Sequence, residues 1–298
     1  MSERSRVLVT GASSGFGRKI ACALATAGHH VFAGVREPAG RGALARADLE
    51  AWAADAGVAL EVIALDVTSE ASIDTAVEAI TTSVGGVDIL VNNAGVAAAG
   101  LIETFSASAA QKIFDVNVFG LLRMMRAVLP GMRAQGRGLV VHVSSTDGRE
   151  VMPFLGLYNA SKFAVEALAD AWRYEIEGLG IETVVIQPGT FPTTNILANL
   201  VPADDPGRAA GYGAVAEGPG QLFAAITRMI EDGSAPSPEL VATEVARIVA
   251  LPHGTRPTRV VVDPSGFDGA HRINAVCDEV QRDLLAQTGL TFLDRRTS

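Results

Sequence analysis

Short apolar runs alternate with longer stretches of helical periodicity along most of the chain. Residues 6–10 form a brief run rich in β-branched side chains that stops at Gly11. Residues 31–35, 60–65, 87–91, 139–143, 181–186 and 259–262 read the same way, so each is expected to be a strand. Helices are expected over residues 19–27, 40–56, 69–84, 163–177, 221–231, 238–250 and 270–286. A longer helical pattern over residues 106–133 is expected to break near Pro130. Ser69 and Ser72 stand before the apolar positions Ile73, Val77 and Ile80, the arrangement of a capped helix start. The strand-like runs are apolar throughout rather than alternating. That pattern belongs to parallel strands covered on both faces, so the chain reads as α/β with one parallel sheet between two helical layers.

The rhythm changes after Pro188. Residues 190–220 are rich in Pro, Gly, Ala and Asp and are too long for an ordinary connector. The expectation is one domain over residues 1–298, carrying a substrate-binding or lid insertion at about residues 190–257.

Composition narrows the function classes. Hydrophobic residues make up 48% of the 298, ample for a large core. The net charge of −9 and the lack of any long basic run argue against nucleic acid as a partner. The two cysteines, Cys22 and Cys277, are far apart, and the five histidines form no His-x-x-x-His pair, so no metal site is expected. The start, Met1 to Arg6, runs straight into the first apolar stretch and does not read as a signal peptide. No window of eighteen apolar residues occurs, so no membrane span is expected and the cytoplasm is the expected location.

Two stretches carry candidate chemistry. Gly11, Gly15 and Gly17, with Ser13, Ser14 and Phe16 between them, lie where the first strand meets the first helix. Glycines there permit a tight turn, bring backbone N–H groups to a pyrophosphate, and let helix and strand pack closely. The same letters satisfy Gly-x-Ser-x-Gly, the nucleophile elbow of hydrolases, with His253 or His271 as base; Gly17 would then have no purpose. The second stretch is Tyr158-Asn159-Ala160-Ser161-Lys162, with Ser145 thirteen residues upstream. On a helix, Tyr158 and Lys162 share a face one turn apart. A cation held near a phenol favours the phenolate. Pairs at this spacing also occur on solvated helix faces. His142, between valines, reads as a core histidine, and Trp52, Trp172 and Phe163 read as packing residues.

Taken together, the motifs resemble the short-chain dehydrogenase/reductase family over roughly residues 5–195. They are Thr10-Gly11 with Gly15-x-Gly17, Asp66-Val67, Asn92-Asn93-Ala94-Gly95, Asn117, Ser145, Tyr158-x-x-x-Lys162, and Pro188-Gly189 with Thr193. The stretch from Phe154 to Glu166 is similar to the hydroxysteroid and retinol branch. The resemblance implies a doubly wound Rossmann domain with a seven-stranded parallel sheet. It implies Tyr158 as the proton donor to a carbonyl oxygen, Ser145 as a hydrogen-bond donor to that oxygen, with Ser144 the other candidate serine and the thirteen-residue offset favouring Ser145, and Lys162 as the group that lowers the Tyr158 pKa and binds the nicotinamide ribose. Asn117 would hold a water linking Lys162 to solvent. Asp66 would meet the adenine amino group, or simply cap the turn after its strand. Asn93, Ala94 and Gly95 would lie along the adenine ribose, and Pro188, Gly189 and Thr193 along the nicotinamide carboxamide. Family members commonly form homodimers or homotetramers, so the same is expected here.

The second strand ends in Val35-Arg36, without the acidic residue that would bind the ribose of NAD. An arginine there suits a 2′-phosphate, so NADP(H) is the expected cofactor. The expected function is reduction of a hydrophobic ketone or aldehyde, or oxidation of the alcohol. Its pocket walls are expected at residues 96–101, 150–157 and 190–220, with Leu101, Val151, Phe154, Leu155, Phe191 and Leu197 as apolar lining. A regulator that senses the dinucleotide without turnover is the competing reading.

Overall fold

The computed structural model describes residues 4–194 and 199–293. Residues 1–3 and the expected pocket residue Leu197 lie outside them. Among the described residues, seven strands form one sheet: β1 Arg6–Val9, β2 His30–Val35, β3 Leu60–Ala64, β4 Ile89–Asn92, β5 Gly138–Val143, β6 Ile181–Pro188 and β7 Arg259–Val262. The order across the sheet is β3-β2-β1-β4-β5-β6-β7, and every pairing is parallel.

Successive side chains of a strand point to opposite faces. Val7 and Val9 therefore enter one core with Val31, Val91 and Val141, while Leu8 enters the other with Leu90 and Val140. The first core is closed by α1 (Gly15–Thr26), α2 (Ala43–Ala56) and α8 (Glu239–Ala250), through Ile20, Leu24, Leu49, Val245 and Ile248. The second is closed by α3 (Glu70–Val84), α5 (Gly120–Gln135) and α6 (Gly156–Ile176), through Ile73, Ile80, Met124, Val128 and Ile176. Burial on both faces is why the strands are continuous apolar runs.

Helix starts follow the expected chemistry. The Ser69 hydroxyl accepts from the Ser72 N–H at 3.2 Å, and the Ser72 hydroxyl accepts from the Asp66 N–H at 3.0 Å. The break expected at Pro130 is not there: α5 runs through it to Gln135 and stops at Gly136, whose φ is 63°. The irregularity lies upstream, between α4 (Ala107–Phe114) and α5, where Asp115–Phe119 form a π turn. A π turn takes one extra residue. It coincides with Asn117, whose side chain bonds both the N–H and the C=O of Val96 at 2.8 Å. Tertiary hydrogen bonds, not a helix-breaking residue, mark the place.

The region after β6 holds a 3-10 segment at Pro206–Glu217, then α7 (Gly218–Glu231) and α8. The last helix is α9 (Gly269–Thr288). Among the described residues, no helix is long and apolar enough to cross a membrane, and no group of three or more His, Cys, Asp or Glu is placed to hold a metal ion.

Candidate active site

The sheet order turns back on itself between β1 and β4. Connections leave the C-terminal ends of these neighbours in opposite directions and open a crevice. A cavity of about 400 Å³ occupies it, lined at one end by Gly11, Ser13, Ser14, Gly15, Phe16 and Arg36. Asp66, Val67, Asn93, Ala94 and Gly95 line its middle, and Tyr158 and Lys162 its other end.

The glycine-rich turn is closed by backbone contact. A Cβ on Gly17 would lie 2.3 Å from the Gly11 carbonyl oxygen and 2.4 Å from the Asn93 amide nitrogen. Gly11 has a φ of 67° and Gly15 of 53°, left-handed values that favour glycine. Ser14 caps α1 with extended backbone and makes no side-chain cap hydrogen bond. The positive end of α1 is therefore left to the cavity, as an anion site requires. Asn93 locks the turn: its side-chain amide donates to the Thr10 carbonyl at 2.9 Å, and its N–H donates to the Thr10 hydroxyl at 3.0 Å. Asp66 lines the cavity and also caps the turn after β3, accepting from the Thr68 N–H at 2.9 Å and hydroxyl at 2.7 Å. Arg36 is exposed at the cavity rim.

Tyr158 stands in the first turn of α6, and Lys162 one turn on; both are buried, at 8% and 6% exposure. Ser145, at 6%, ends the β5 segment beside them. Its hydroxyl caps the 3-10 turn Thr146–Gly148, accepting from the Asp147 N–H at 3.1 Å, and donates to the Pro188 carbonyl at 3.4 Å. Ser145 stands close enough to Tyr158 to favour ionisation of its phenol.

Burial dominates the electrostatics of the site. The Tyr158 hydroxyl is raised well above the ordinary phenol value, first by burial and then by the charge of Asp147, with only Ser145 acting the other way. The Lys162 ammonium lies 5.7 Å from the centre of the Tyr158 ring and donates instead to the Val143 carbonyl at 2.9 Å. Burial lowers the Lys162 pKa to about 8, against the opposing influence of Glu166 and Asp147. Asp147, which the sequence gives no reason to single out, is pushed up to about 6, chiefly by burial.

Other expected residues fall in varied places. The side chain of Asn117 accepts from the Val96 N–H and donates to the Val96 carbonyl and to the Ser161 hydroxyl at 2.9 Å. A second cavity of about 10 Å³ lies between Asn117, Val143 and Lys162. Thr193 is exposed, and Thr194 lines the main cavity in its place because the Phe191–Thr194 turn faces it inward. Pro188 and Gly189 end β6 behind Ser145 and do not line the cavity. A Cβ on Gly189 would lie 2.5 Å from the Asp263 carboxyl carbon. Phe191, expected in the substrate pocket, is buried in the core against the edge of Phe16, ring centres 5.3 Å apart. His142 is fully buried and neutral, its pKa lowered to about 3 by burial, and stacks on Trp172. Phe163, expected to pack, is 40% exposed.

A crevice at this switch point is where sheets of this order take a dinucleotide, which places the protein among the dinucleotide-binding α/β oxidoreductases. Comparison narrows the class to one family. Residues 5–205 match the short chain dehydrogenase family, and the chain belongs to it. It is 36% identical over 187 residues to 3-ketodihydrosphingosine reductase of Bacteroides thetaiotaomicron, a match spanning 63% of this chain and 64% of that protein. It is 36% identical over 208 residues to human retinol dehydrogenase 8, covering 67% of this chain and 64% of that one. Among solved structures, a short-chain dehydrogenase from Streptomyces avermitilis superposes with a TM-score of 0.74 at 29% identity, over 97% of this chain and 98% of that one. A single-substitution variant of actinorhodin polyketide ketoreductase, with NADPH, gives 0.72 at 27% identity, over 88% and 96%. The 3-ketoacyl-(acyl-carrier-protein) reductase from Brucella melitensis, with NADH, gives 0.70 at 27%, over 88% and 98%.

Proposed function

We propose that the protein is an NADP(H)-dependent reductase of a hydrophobic ketone or aldehyde, running the alcohol oxidation in reverse, with Tyr158 as its acid. The observation that carries this reading is that buried Tyr158 and Lys162 line the same cavity as the glycine-rich helix start, with buried Ser145 behind the lining residue Ser144. The cavity fits a dinucleotide: close backbone packing at Gly11 and Gly17, an uncapped α1 and Asp66 near its middle supply the recognition such a molecule needs. A bound nicotinamide would supply the two electrons and hydrogen that a carbonyl carbon accepts on reduction.

Charge then develops on the carbonyl oxygen. Ser145 donates a hydrogen bond to it and Tyr158 gives it a proton, which together lower the barrier. Tyr158 holds its proton at neutral pH, and its raised pKa means that in turnover the bound cofactor and Lys162 have to bring the phenol's pKa down. Lys162 binds ribose hydroxyls. The small cavity between Asn117 and Lys162 has room for about one water, through which the proton could be replaced. Thr194 takes the place of Thr193 beside the cofactor. Replacing Tyr158 by Phe tests the whole reading. Turnover of NADPH with a ketone and aldehyde panel should fall by about 10²-fold or more, while NADPH binding by fluorescence stays within about threefold of wild type. Retained turnover would refute Tyr158 as acid, and a protein that binds NADPH but turns over no carbonyl even as wild type would support the sensor reading.

Arg36 at the cavity rim supports NADP(H) over NAD(H). The ratio of kcat/KM for NADPH over NADH should exceed one and should fall on Arg36→Ala; a ratio below one for wild type sinks the preference. Residues 190–257 serve as the substrate lid of the one domain in this reading. Exposed Phe119, Leu122 and Phe163 on the π turn before α5, on α5 and on α6 support a homodimer or homotetramer, which sedimentation would test.

A further inference from the structure

We propose that Phe154 is a specificity-determining residue: its ring, seated on Gly218, pins the segment after β6 beside Tyr158, and the substrates this favours are ketones with an extended apolar chain. This rests on the reading of the protein as a carbonyl reductase. Phe154 is one of two described non-glycine residues with a positive φ, at 67°. It takes the third place of the turn Met152–Leu155, which the Leu155 N–H closes on the Met152 carbonyl at 3.3 Å. A left-handed residue at that place of a turn is ordinarily glycine. The turn is held from two sides. The buried Asn159 of α6 donates its side-chain amide to the Met152 carbonyl at 2.9 Å, and the Gly100 N–H donates to the Phe154 carbonyl at 2.8 Å. Backbone strain persists only where the surroundings fix it, and it gathers at binding sites and ligand clamps.

The ring is aimed at the first residue of α7. A Cβ on Gly218 would overlap the outer edge of the Phe154 ring, with Cζ the nearest atom. Only glycine lets the ring reach the helix backbone. Gly218 is also the one buried residue of α7, whereas every other described α-helix buries at least one larger side chain. The helix is therefore anchored at its start. The described segment leading to it begins at the main cavity, which Asn199 and Leu200 line. Val201 N–H then donates to the Ala97 carbonyl at 2.8 Å and Asp205 N–H to the Thr104 carbonyl at 3.0 Å, before Pro206–Glu217 lead to Gly218. The segment thus leaves the crevice at Leu200 and returns at Phe154, four residues before Tyr158. The three walls expected from the sequence meet there, through Gly100, Phe154 and Gly218. An apolar chain on a carbonyl held at Tyr158 would pass between ring and strap, and each methylene taken out of water there is worth up to about fourfold in affinity.

The experiment measures kcat/KM with NADPH along the straight-chain methyl ketones from butanone to decanone. In wild type it should rise with chain length, by up to about fourfold per methylene. Gly218→Ala pushes the ring off its seat and should flatten that rise. Phe154→Gly should flatten it as well, while its backbone suits a φ of 67°, so the turn survives the loss of the ring; thermal melting checks this. Phe154→Tyr adds an oxygen at the ring atom nearest Gly218 and should act like Gly218→Ala, although a ring that merely lined a pocket would tolerate it. The double variant Phe154→Gly with Gly218→Ala should be no flatter than either single one. A wild-type slope in Gly218→Ala or in Phe154→Gly overturns the proposal, and so does a wild type that ignores chain length. Failure of the two layers is distinguishable. If wild type turns over ketones without regard to length, only the role of Phe154 fails. If wild type turns over no ketone, the reading as a reductase fails, and hydrogen exchange still decides the seat: amides of residues 218–231 should exchange faster in Gly218→Ala and Phe154→Gly than in wild type, and equal exchange overturns it.

Discussion

The turn after β1 and the segment after β6 leave the same edge of the sheet and face the same crevice, but they are held in opposite ways. At the glycine-rich turn, backbone presses on backbone, and a Cβ at Gly17 would lie 2.3 Å from a carbonyl oxygen. Only one residue type fits. The described part of the segment after β6 is tied down by polar groups at the surface. Asp204 accepts from the Ser106 hydroxyl at 2.5 Å and N–H at 2.8 Å, and Glu103 takes Arg208 at 3.0 Å and Tyr212 at 2.8 Å. Two backbone bonds, Val201 N–H to Ala97 carbonyl and Asp205 N–H to Thr104 carbonyl, complete the tie. Many residue pairs could do the same work. The turn after β1 is built so that substitution breaks it, and the segment after β6 so that substitution retunes it.

The sharpest way to break that contrast is Gly17→Ala. The added carbon meets backbone that cannot rotate aside, so the turn or α1 must shift. Overpacking of this kind costs about 1–3 kcal/mol, and here it displaces the N–H groups aimed at the phosphates. NADPH affinity should fall at least about tenfold, with a lower melting temperature. A variant binding NADPH like wild type would show that the close packing of the turn is not what shapes the site.

The buried charges of the site come next. For Asp147 the folded pKa is raised, so folding is favoured while the carboxyl is protonated, and that contribution is lost as pH climbs from the unfolded value of 3.8 through about 6. A shift of that size corresponds to about 2–3 kcal/mol. Asp147→Asn should therefore be more stable than wild type at pH 7.5 but not at pH 4, measured by urea unfolding. Lys162 runs the other way. Its folded pKa is depressed to about 8 from 10.5, so the unfolded chain binds more protons between those values and stability rises with pH across that window. Lys162→Met should flatten that rise and gain stability at pH 7, because an apolar side chain replaces a costly buried charge, while abolishing turnover. A Lys162→Met protein that is less stable than wild type at pH 7 would show that the bond to Val143 outweighs the cost of burial.

The same contrast explains what is legible in the sequence. Strand β7 is legible at its observed bounds, and all seven strands follow from apolar runs, because burial on both faces leaves a one-dimensional trace. The glycines and the Tyr158-x-x-x-Lys162 spacing are legible because backbone approach and helix geometry fix residue type and interval. Asp147 is not, since an aspartate in a turn is ordinary and only burial beside Tyr158 gives it consequence. Thr194 rather than Thr193 lines the cavity, in a turn whose N–H bond runs back to the buried Phe191. The π turn around Asn117 has no local signature, because its hydrogen bonds reach across to Val96 and Ser161. Pro130, the visible breaker, is tolerated inside α5.

The smallest expected effect lies in the lid tie. Glu103 is half-exposed, and its carboxyl is held below its ordinary value first by Tyr212 and then by Arg208. Exposed pairs of this kind are screened by solvent and add little to stability, so Glu103→Gln should leave the melting temperature within experimental error at moderate salt. Its effect should appear in substrate handling. Residues 102–104 pack under the lid, and Ile102 sits directly over Gly156, two residues before Tyr158. Loosening the tie should raise KM for a hydrophobic ketone by about two- to fivefold with little change in kcat and none in NADPH affinity, and high salt should reproduce part of this in wild type by screening the pair. A fall in NADPH affinity in Glu103→Gln would mean that the two sides of the crevice are mechanically one, and that the contrast between a fixed cofactor wall and a tunable substrate wall is drawn in the wrong place.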